Sequence, residues 1–302
     1  MISIIVPCYN IENYITECLD SLHRQTSQDF QLILIDDASS DGTLDKIKGY
    51  SHLKDFKNID MIELPVNKGV SYARNEGILR ARGEYFIFLD GDDTLQVDAI
   101  QVISEHIGCN HSIDLFGYDA YLCGTDRKKT KMILGSSSLV EQTHLAVRGY
   151  WSVVWRFVYR KEFILNNKIQ LDDSLTAGED YHFVCQVLTK AKSFLKIDKP
   201  LYNYATGQIG SAMTRINLKG MYDQIQATEK FAQILKSDVQ LEPFIQDLNY
   251  RYLYLKKLFF KTALKIWKLW MPQSNNYIGS NIWRFKDKLV FIIISLLSKG
   301  LK

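Results

Sequence analysis

Four short stretches of this chain hold the residue types that chemistry needs. The first is Asp90-Gly91-Asp92-Asp93, directly after the apolar run Tyr85-Phe-Ile-Phe-Leu89. Three carboxylates in four residues repel one another, and a bound cation resolves the repulsion. Mg2+ and Mn2+ prefer oxygen ligands and commonly take one or two carboxylates together with substrate phosphates. The competing reading is a solvated polar turn in which Asp92 or Asp93 caps the next helix. The second stretch is Asp36-Asp37-Ala-Ser-Ser-Asp41-Gly42, after Gln31–Ile35. Paired acids at the end of a buried strand can accept hydrogen bonds from a base or a ribose. Asp41 and Thr43 also fit a turn and helix cap, which leaves Asp37 as the acid to set apart.

The third stretch runs from Asn67-Lys68-Gly69 to Ala73-Arg74-Asn75-Glu76-Gly77. A helix that opens at Gly69 beside Lys68 and Arg74 suits a diphosphate or a nucleotide. Close helix packing explains Gly69, Ala73 and Gly77 equally well. The fourth is Glu179-Asp180-Tyr181-His182-Phe183. A carboxylate that takes a proton from an acceptor hydroxyl belongs near a metal but not on it. The same two acids would complement a helix N-terminus, so by itself this motif decides nothing.

These residues must be positioned by the elements around them. Ile2–Val6, Gln31–Asp36, Ile59–Leu64 and Glu84–Leu89 read as buried strands, with helices over Glu12–Arg24, Thr43–Tyr50 and Gly69–Arg82 between them. Such alternation predicts an α/β fold with a mostly parallel, Rossmann-like sheet flanked by helices. Ligands of such sheets bind beyond the carboxyl ends of the strands. Pro7–Asn10, Asp36–Asp37 and Asp90–Asp93 all fall at that edge, which lowers the weight of the plain-turn readings. Beyond Asp98 the pattern predicts a helix near 97–107, a strand near 113–122, a variable stretch to about 140 and mixed structure to 205. Asn217–Lys236 and Glu242–Leu269 read as helices, Pro272–Asn281 as a loop and Ile282–Lys299 as a last helix. Leu201–Thr214 is polar, with Gly207 and Gly210 as hinges, and is expected to be a mobile segment over the site.

The bulk properties agree with a folded enzyme-sized chain. It has 302 residues, 46% hydrophobic and 24% charged, with 5 prolines and 17 glycines, so no disordered or collagenous tract is expected. The start lacks a basic region and a cleavage site, and the 5 cysteines form no CxxC pair. The expectation is a cytosolic protein with reduced thiols and no zinc. The apolar run Leu289–Leu297 is too short to span a bilayer as a helix. Charge is unevenly spread: residues 251–302 hold eleven Lys and Arg against the single acid Asp287. Lys257, Lys261, Lys265 and Lys268 recur at helical spacing among Leu, Phe, Ile and Trp. A basic amphipathic helix of this kind points to an anionic membrane surface, and the alternative is packing on the catalytic domain or in a homodimer. No nucleic-acid recognition motif accompanies the charge.

Taken together, the four stretches resemble the family 2 glycosyltransferases of the GT-A fold, over about residues 1–215. Pro7-Cys8-Tyr9-Asn10 is similar to the family's P-x-Y-N opening, Asp36–Thr43 to its nucleotide-binding turn, and Asn67–Gly77 to its N-x-G…A-R-N-x-G helix. Asp90-Gly91-Asp92 resembles its D-x-D and Glu179–Phe183 its E-D-x-x-F. Ala38 stands where glycine is commoner, and Trp155–Arg160 departs from a Lys-Leu-Tyr-Arg pattern while Arg156 keeps the charge. The resemblance implies a nucleotide-binding half over 1–98, an acceptor half with a lid over 99–215, and a helical C-terminal extension over 216–302. It implies that Pro7, Tyr9 and Asp37 hold uracil and ribose, with Asn10, Lys68, Arg74 and Gly91 also around the nucleotide. Asp90 would contact ribose, Asp92 would bind Mn2+ or Mg2+ bridging the diphosphate, and Arg156 would reach the diphosphate or the acceptor. Asp180 would be the general base, with Glu179 as the fallback. The activity implied is metal-dependent, inverting transfer from a UDP-sugar to a glycan or lipid-linked acceptor in bacterial cell-surface polysaccharide synthesis, on the inner face of the cell membrane. A dehydrogenase would need G-x-G-x-x-G after the first strand, where this chain has Pro7–Asn10, and a nucleotidyltransferase would need a Gly-rich basic loop there. A non-catalytic membrane-associated protein with a vestigial sugar-nucleotide site is the remaining rival.

Overall fold

The computed structural model describes residues 1–124, 129–132, 135, 137–150, 152–207 and 218–270, the side chains at 218, 239, 256 and 259–270 excepted. The chain opens with β1 (Ile2–Cys8), α1 (Ile15–His23), β2 (Phe30–Asp36), α2 (Thr43–Lys48), β3 (Ile59–Glu63), α3 (Val70–Arg80) and β4 (Tyr85–Phe88). The order β3-β2-β1-β4 is parallel throughout, as the alternation of strand and helix predicts. β1 and β2 are apolar runs because both sheet faces are covered. Ile5, Ile33, Ile35, Phe86 and Phe88 point to one core with α3, while Ile4, Val6, Leu32, Leu34 and Ile87 point to the other with α1 and α2. The strand period of two thus divides one sequence between two cores. Gly77 lets α3 lie flat on the sheet, since a Cβ there would come 2.3 Å from Ile5 Cγ2.

The second half adds β5 (Thr94–Leu95), α4 (Ala99–Cys109), β6 (Leu115–Cys123), β7 (Lys129–Met132), α5 (Leu139–Arg148), β8 (Phe157–Arg160), α6 (Lys161–Asn166), α7 (Glu179–Lys190) and β9 (Phe194–Ala205). The sheet continues from β4 through β8, β6 and β9 to β5, with β7 on β6. Here β8 runs antiparallel to both neighbours, and only β6 and β9 pair in parallel. The parallel character therefore belongs to the first four strands and gives way to mixed pairing beyond them.

Two expectations from the sequence need correction. Leu201–Tyr204, expected within a mobile segment, lies inside β9 and pairs with β6. The polar Lys199-Pro200 step hid the strand: the pairing slips between Tyr118 and Ala120, so Pro200 is accommodated at an irregularity. Thr206 is also tied, its N–H donating to the Cys123 carbonyl at 2.8 Å. The remainder of that segment, 208–214, lies outside the described residues. The stretch expected to be variable to about 140 contains β7 and the start of α5.

Met1–Leu255 form one compact unit and Lys256–Lys302 a second. α8 (Leu218–Ser237) and the first residues of α9 (Ile245–Trp270) belong to the first, where Phe231 and Leu248 join the core beneath α7. Arg251, which sequence places among the basic charges of the tail, is buried, its guanidinium 3.6 Å from the centre of the Tyr181 ring. In the second unit α9 continues to Trp270, while the expected loop at 272–281 and helix at 282–299 lie outside the described residues. No helix among the described residues is long and apolar enough to cross a membrane.

Candidate active site

The loops after β1 and β2 are knitted together. Asn10 Oδ1 accepts from Ser40 N at 2.8 Å, Asn10 N donates to Ser39 Oγ at 3.1 Å, and Glu12 Oε2 accepts from Gly42 N at 2.8 Å. Asn10 and Ala38 both hold positive φ, 52° and 56°, which these bonds stabilise. Pro7 closes this wall from β1, and Tyr9 stands out from it, 48% exposed. Asp37 does the opposite. It is buried, and its two oxygens accept from Lys68 N at 2.7 Å and Gly69 N at 2.8 Å, clamping the start of α3. Lys68 is exposed, its Nζ 4.2 Å from the Tyr72 ring centre.

The acidic turn after β4 divides its carboxylates among different partners. Asp90 Oδ1 accepts from Arg74 Nη2 at 2.7 Å. Asp93 Oδ2 accepts from the Tyr202 hydroxyl at 2.7 Å and Oδ1 from Ala205 N at 2.7 Å. Asp92, between them, is half-buried; burial and then the charge of Asp90 push its carboxyl up to about 6. A divalent cation would relieve that cost, so the donor set fits Mn2+ or Mg2+. Gly91 permits the tight turn, because a Cβ there would meet Ile11 Cδ1 at 2.3 Å.

Arg74 is buried in α3, yet its guanidinium reaches two distant motifs at once. Nη1 donates to Asp180 Oδ1 at 2.7 Å and lies 3.9 Å from Glu179. Asp180, Asp90 and Glu179 together hold the guanidinium firmly protonated against the cost of burial. Asp180 Oδ2 also accepts from Val154 N at 3.4 Å. Burial raises the Asp180 carboxyl, Arg74 opposes the shift and Asp90 adds to it. Glu179 is pushed up to about 7 by burial, then by the charge of Asp180.

Arg156 does not join this group. It ends the turn Val154–Arg156 that leads into β8, whose strand is interior, and its side chain has 0% exposure. Burial lowers it to about 10, with Asp119 the leading opposing charge. The guanidinium is thus enclosed, where a contact with diphosphate or acceptor was expected of it. Three aromatics that the sequence reading named without giving them a role stack beside the acidic turn. Trp155 stacks on Tyr202 at 4.4 Å and on Tyr204 at 5.3 Å between ring centres. The alternation Tyr202-Asn203-Tyr204 is the available signal, masked by the loop-like composition that follows it.

His23, His52 and Asp55 bring ligand atoms within 4.8 Å of one another. The two imidazoles stack at 4.1 Å and 24°.

Comparison with known proteins follows the same residues. The model of glycosyl transferase family 2 matches residues 3–169. The Bacillus subtilis protein EpsJ, an uncharacterized glycosyltransferase, is 33% identical over 74% of this chain and 66% of its own length. The Staphylococcus aureus poly(ribitol-phosphate) beta-N-acetylglucosaminyltransferase TarS is 25% identical over 98% of this chain, which spans 51% of TarS. The crystal structure of TarS residues 1–349 with UDP-GlcNAc matches with a TM-score of 0.68 at 23% identity, over 83% of this chain and 71% of that one. A Pyrobaculum calidifontis mannosyltransferase in complex with GDP-Man and Mn2+ matches over 100% of this chain and 80% of its own, with a TM-score of 0.62 at 14% identity. These structural likenesses carry the GT-A fold, while the family model spans the β1, β2 and β4 edge where the clustered acids lie. The chain belongs to the family 2 glycosyltransferases.

Proposed function

We propose that this protein transfers a sugar from a UDP-sugar to a hydroxyl of a glycan or lipid-linked acceptor in bacterial cell-surface polysaccharide synthesis, with inversion at the anomeric carbon. The observation that carries the reading is Arg74 joining Asp90, on the acidic turn, to Asp180, on α7. That link holds a charge-bearing turn and a candidate base on one guanidinium. TarS, which acts on poly(ribitol-phosphate) and whose structure holds UDP-GlcNAc, supports the donor and acceptor classes.

Pro7, Tyr9 and Asn10 form the wall for uracil and ribose, beside Lys68, whose backbone Asp37 fixes. Asp90 flanks the ribose from its Arg74 contact and Gly91 leaves room for the backbone turn. Asp92 holds the cation, which when bound neutralises the charge of the leaving diphosphate. Asp180 takes the acceptor proton as the acceptor oxygen bonds to the anomeric carbon and the carbon–oxygen bond to UDP breaks. One displacement inverts the centre; the proton ends on Asp180 and UDP leaves. Burial raises Asp180 above an ordinary aspartate, which improves it as a base near neutral pH. Arg74 fixes its direction. Glu179 stands beside it as the substitute proton acceptor.

The basic C-terminal region would hold the enzyme on the anionic inner face of the cell membrane, near a lipid-carried acceptor. Lys257 is exposed, while Arg251 takes no part. Cosedimentation with anionic vesicles that weakens with salt and is lost on deletion of 256–302 supports docking. Equal binding to neutral vesicles refutes it and leaves dimerisation as the tail's role.

The test of the activity is a screen of UDP-sugars for turnover with Mn2+, Mg2+ or EDTA, using lipid-linked acceptors. Metal-dependent release of UDP is expected. A chain that binds no UDP-sugar under any of these conditions would be the vestigial, non-catalytic alternative.

A further inference from the structure

Tyr204 lies where the two halves of the site are joined. It is half-buried near the end of β9, opposite Leu122 in β6. Its neighbours are anchored to the acidic turn and to β5 after it: Ala205 N donates to Asp93 Oδ1 at 2.7 Å and Asn203 Nδ2 to Thr94 Oγ1 at 3.0 Å. Its ring is stacked against Trp155 at 5.3 Å and 16°. Trp155 directly follows Val154, whose N–H reaches Asp180. Trp155 also stacks on Tyr202, whose hydroxyl accepts from Asp90 N at 3.1 Å and donates to Asp93. Tyr204 is therefore tied through its strand neighbours to the acidic turn and through Trp155 to the segment that reaches Asp180.

A displacement at an anomeric carbon puts the leaving oxygen at the diphosphate end, the entering oxygen at the base, and the transferred sugar between them. A side chain adjacent to both ends borders that sugar. We propose that Tyr204 contacts the sugar being transferred and determines which sugar is accepted. Its phenol suits that role. A phenol is a neutral hydroxyl near neutral pH and can donate to a sugar oxygen. The stack on Trp155 keeps the ring from swinging away. A hydroxyl that must be matched by the substrate discriminates epimers more strongly than an apolar wall does.

This inference rests on the reading of the site as a UDP-sugar transferase, and Tyr204→Phe separates the two. The full chain and the variant are compared in two measurements. The first is the dissociation constant for UDP against that for the preferred UDP-sugar. The second is the ratio of kcat/KM for that sugar over its C4 epimer, for example UDP-GlcNAc over UDP-GalNAc. The expected result is UDP affinity within about twofold of the original, a smaller gain in affinity from the sugar, and an epimer ratio reduced about tenfold. An unchanged epimer ratio with normal UDP binding overturns the assignment. Weakened UDP binding together with equal loss for both epimers also overturns it, because Tyr204 would then only support the acidic turn. Absence of UDP-sugar binding in the original chain removes the transferase reading itself, an outcome distinct from either.

Discussion

Arg74 and Asp180 are 106 residues apart in sequence, and Arg74 Nη1 lies 2.7 Å from Asp180 Oδ1. The same guanidinium holds Asp90 through Nη2 at 2.7 Å. A planar fork serves two acids at a fixed angle, which a lysine ammonium cannot do. Arg74→Lys is expected to lower kcat by about 100-fold, since the base loses its direction. Arg74→Met leaves buried carboxylates facing one another and is expected to cost on the order of 3 kcal/mol of stability. Urea unfolding and steady-state kinetics on the two variants check this; a Lys variant with the original rate would show that the fork is not needed.

Asp180→Asn keeps the shape and the Arg74 contact but cannot take a proton. Turnover is expected to fall about 100-fold or more with UDP affinity retained. Loss of UDP binding with normal turnover at saturation would make Asp180 a binding residue instead. Activity preserved in a less stable protein would reduce it to a helix-start residue.

Asp92→Ala is expected to abolish nearly all turnover and to remove the dependence of UDP affinity on Mn2+. Burial pushes the metal-free carboxyl up to about 6, so protons compete with the metal as pH falls through that value. Calorimetric titration with Mn2+ in the presence of UDP should give weaker binding at pH about 5 than at about 7.5. A pH-independent affinity, or full activity in excess EDTA, would rule out Asp92 as the metal ligand.

Glu179 is raised from its ordinary 4.5 to about 7, chiefly by burial. Between those values the folded state binds more protons than the unfolded state. Stability from this group is therefore present below about 4.5 and is lost as pH rises towards 7. Glu179→Gln removes the ionisation, and the metal-free variant should lose less stability than the original between pH of about 5 and about 7.5. Parallel stability curves for the two proteins in that window would contradict the assignment.

Gly149 ends α5 with φ 90°, and a Cβ there would come 1.8 Å from Arg251 Nη1. Gly149→Ala is expected to cost about 2 kcal/mol or more, from left-handed strain plus displacement of Arg251 from Tyr181. The compact unit ends at Leu255, so a chain stopped there should fold and melt cooperatively. A chain stopped before Ile245 also loses Asp247, which pairs with His144 and Arg148, and should not. Thermal melts of the three proteins test the set.

The first four strands and their helices were legible because β1, β2 and β4 are short, mostly apolar runs between turn residues, spaced by helical patterns. The edge bearing Asp37 and Asp90 followed from that topology, while Asp180 was singled out by its motif and the resemblance alone. What sequence could not supply is partnership. Nothing local distinguishes Arg74, enclosed by Asp90 and Asp180, from Lys68, left in solvent four residues after Leu64. Arg156, read as a ligand contact, and Arg251, read as part of the basic tail, each lie in an element whose surroundings the rest of the chain creates, and both are buried. Tyr202 and Tyr204 became site residues only because β9 pairs with β6, far earlier in the chain, and Trp155 arrives over both rings. Periodicity records which face a residue uses; which charge or ring meets it there is set by contacts between distant segments, and only the folded chain contains them.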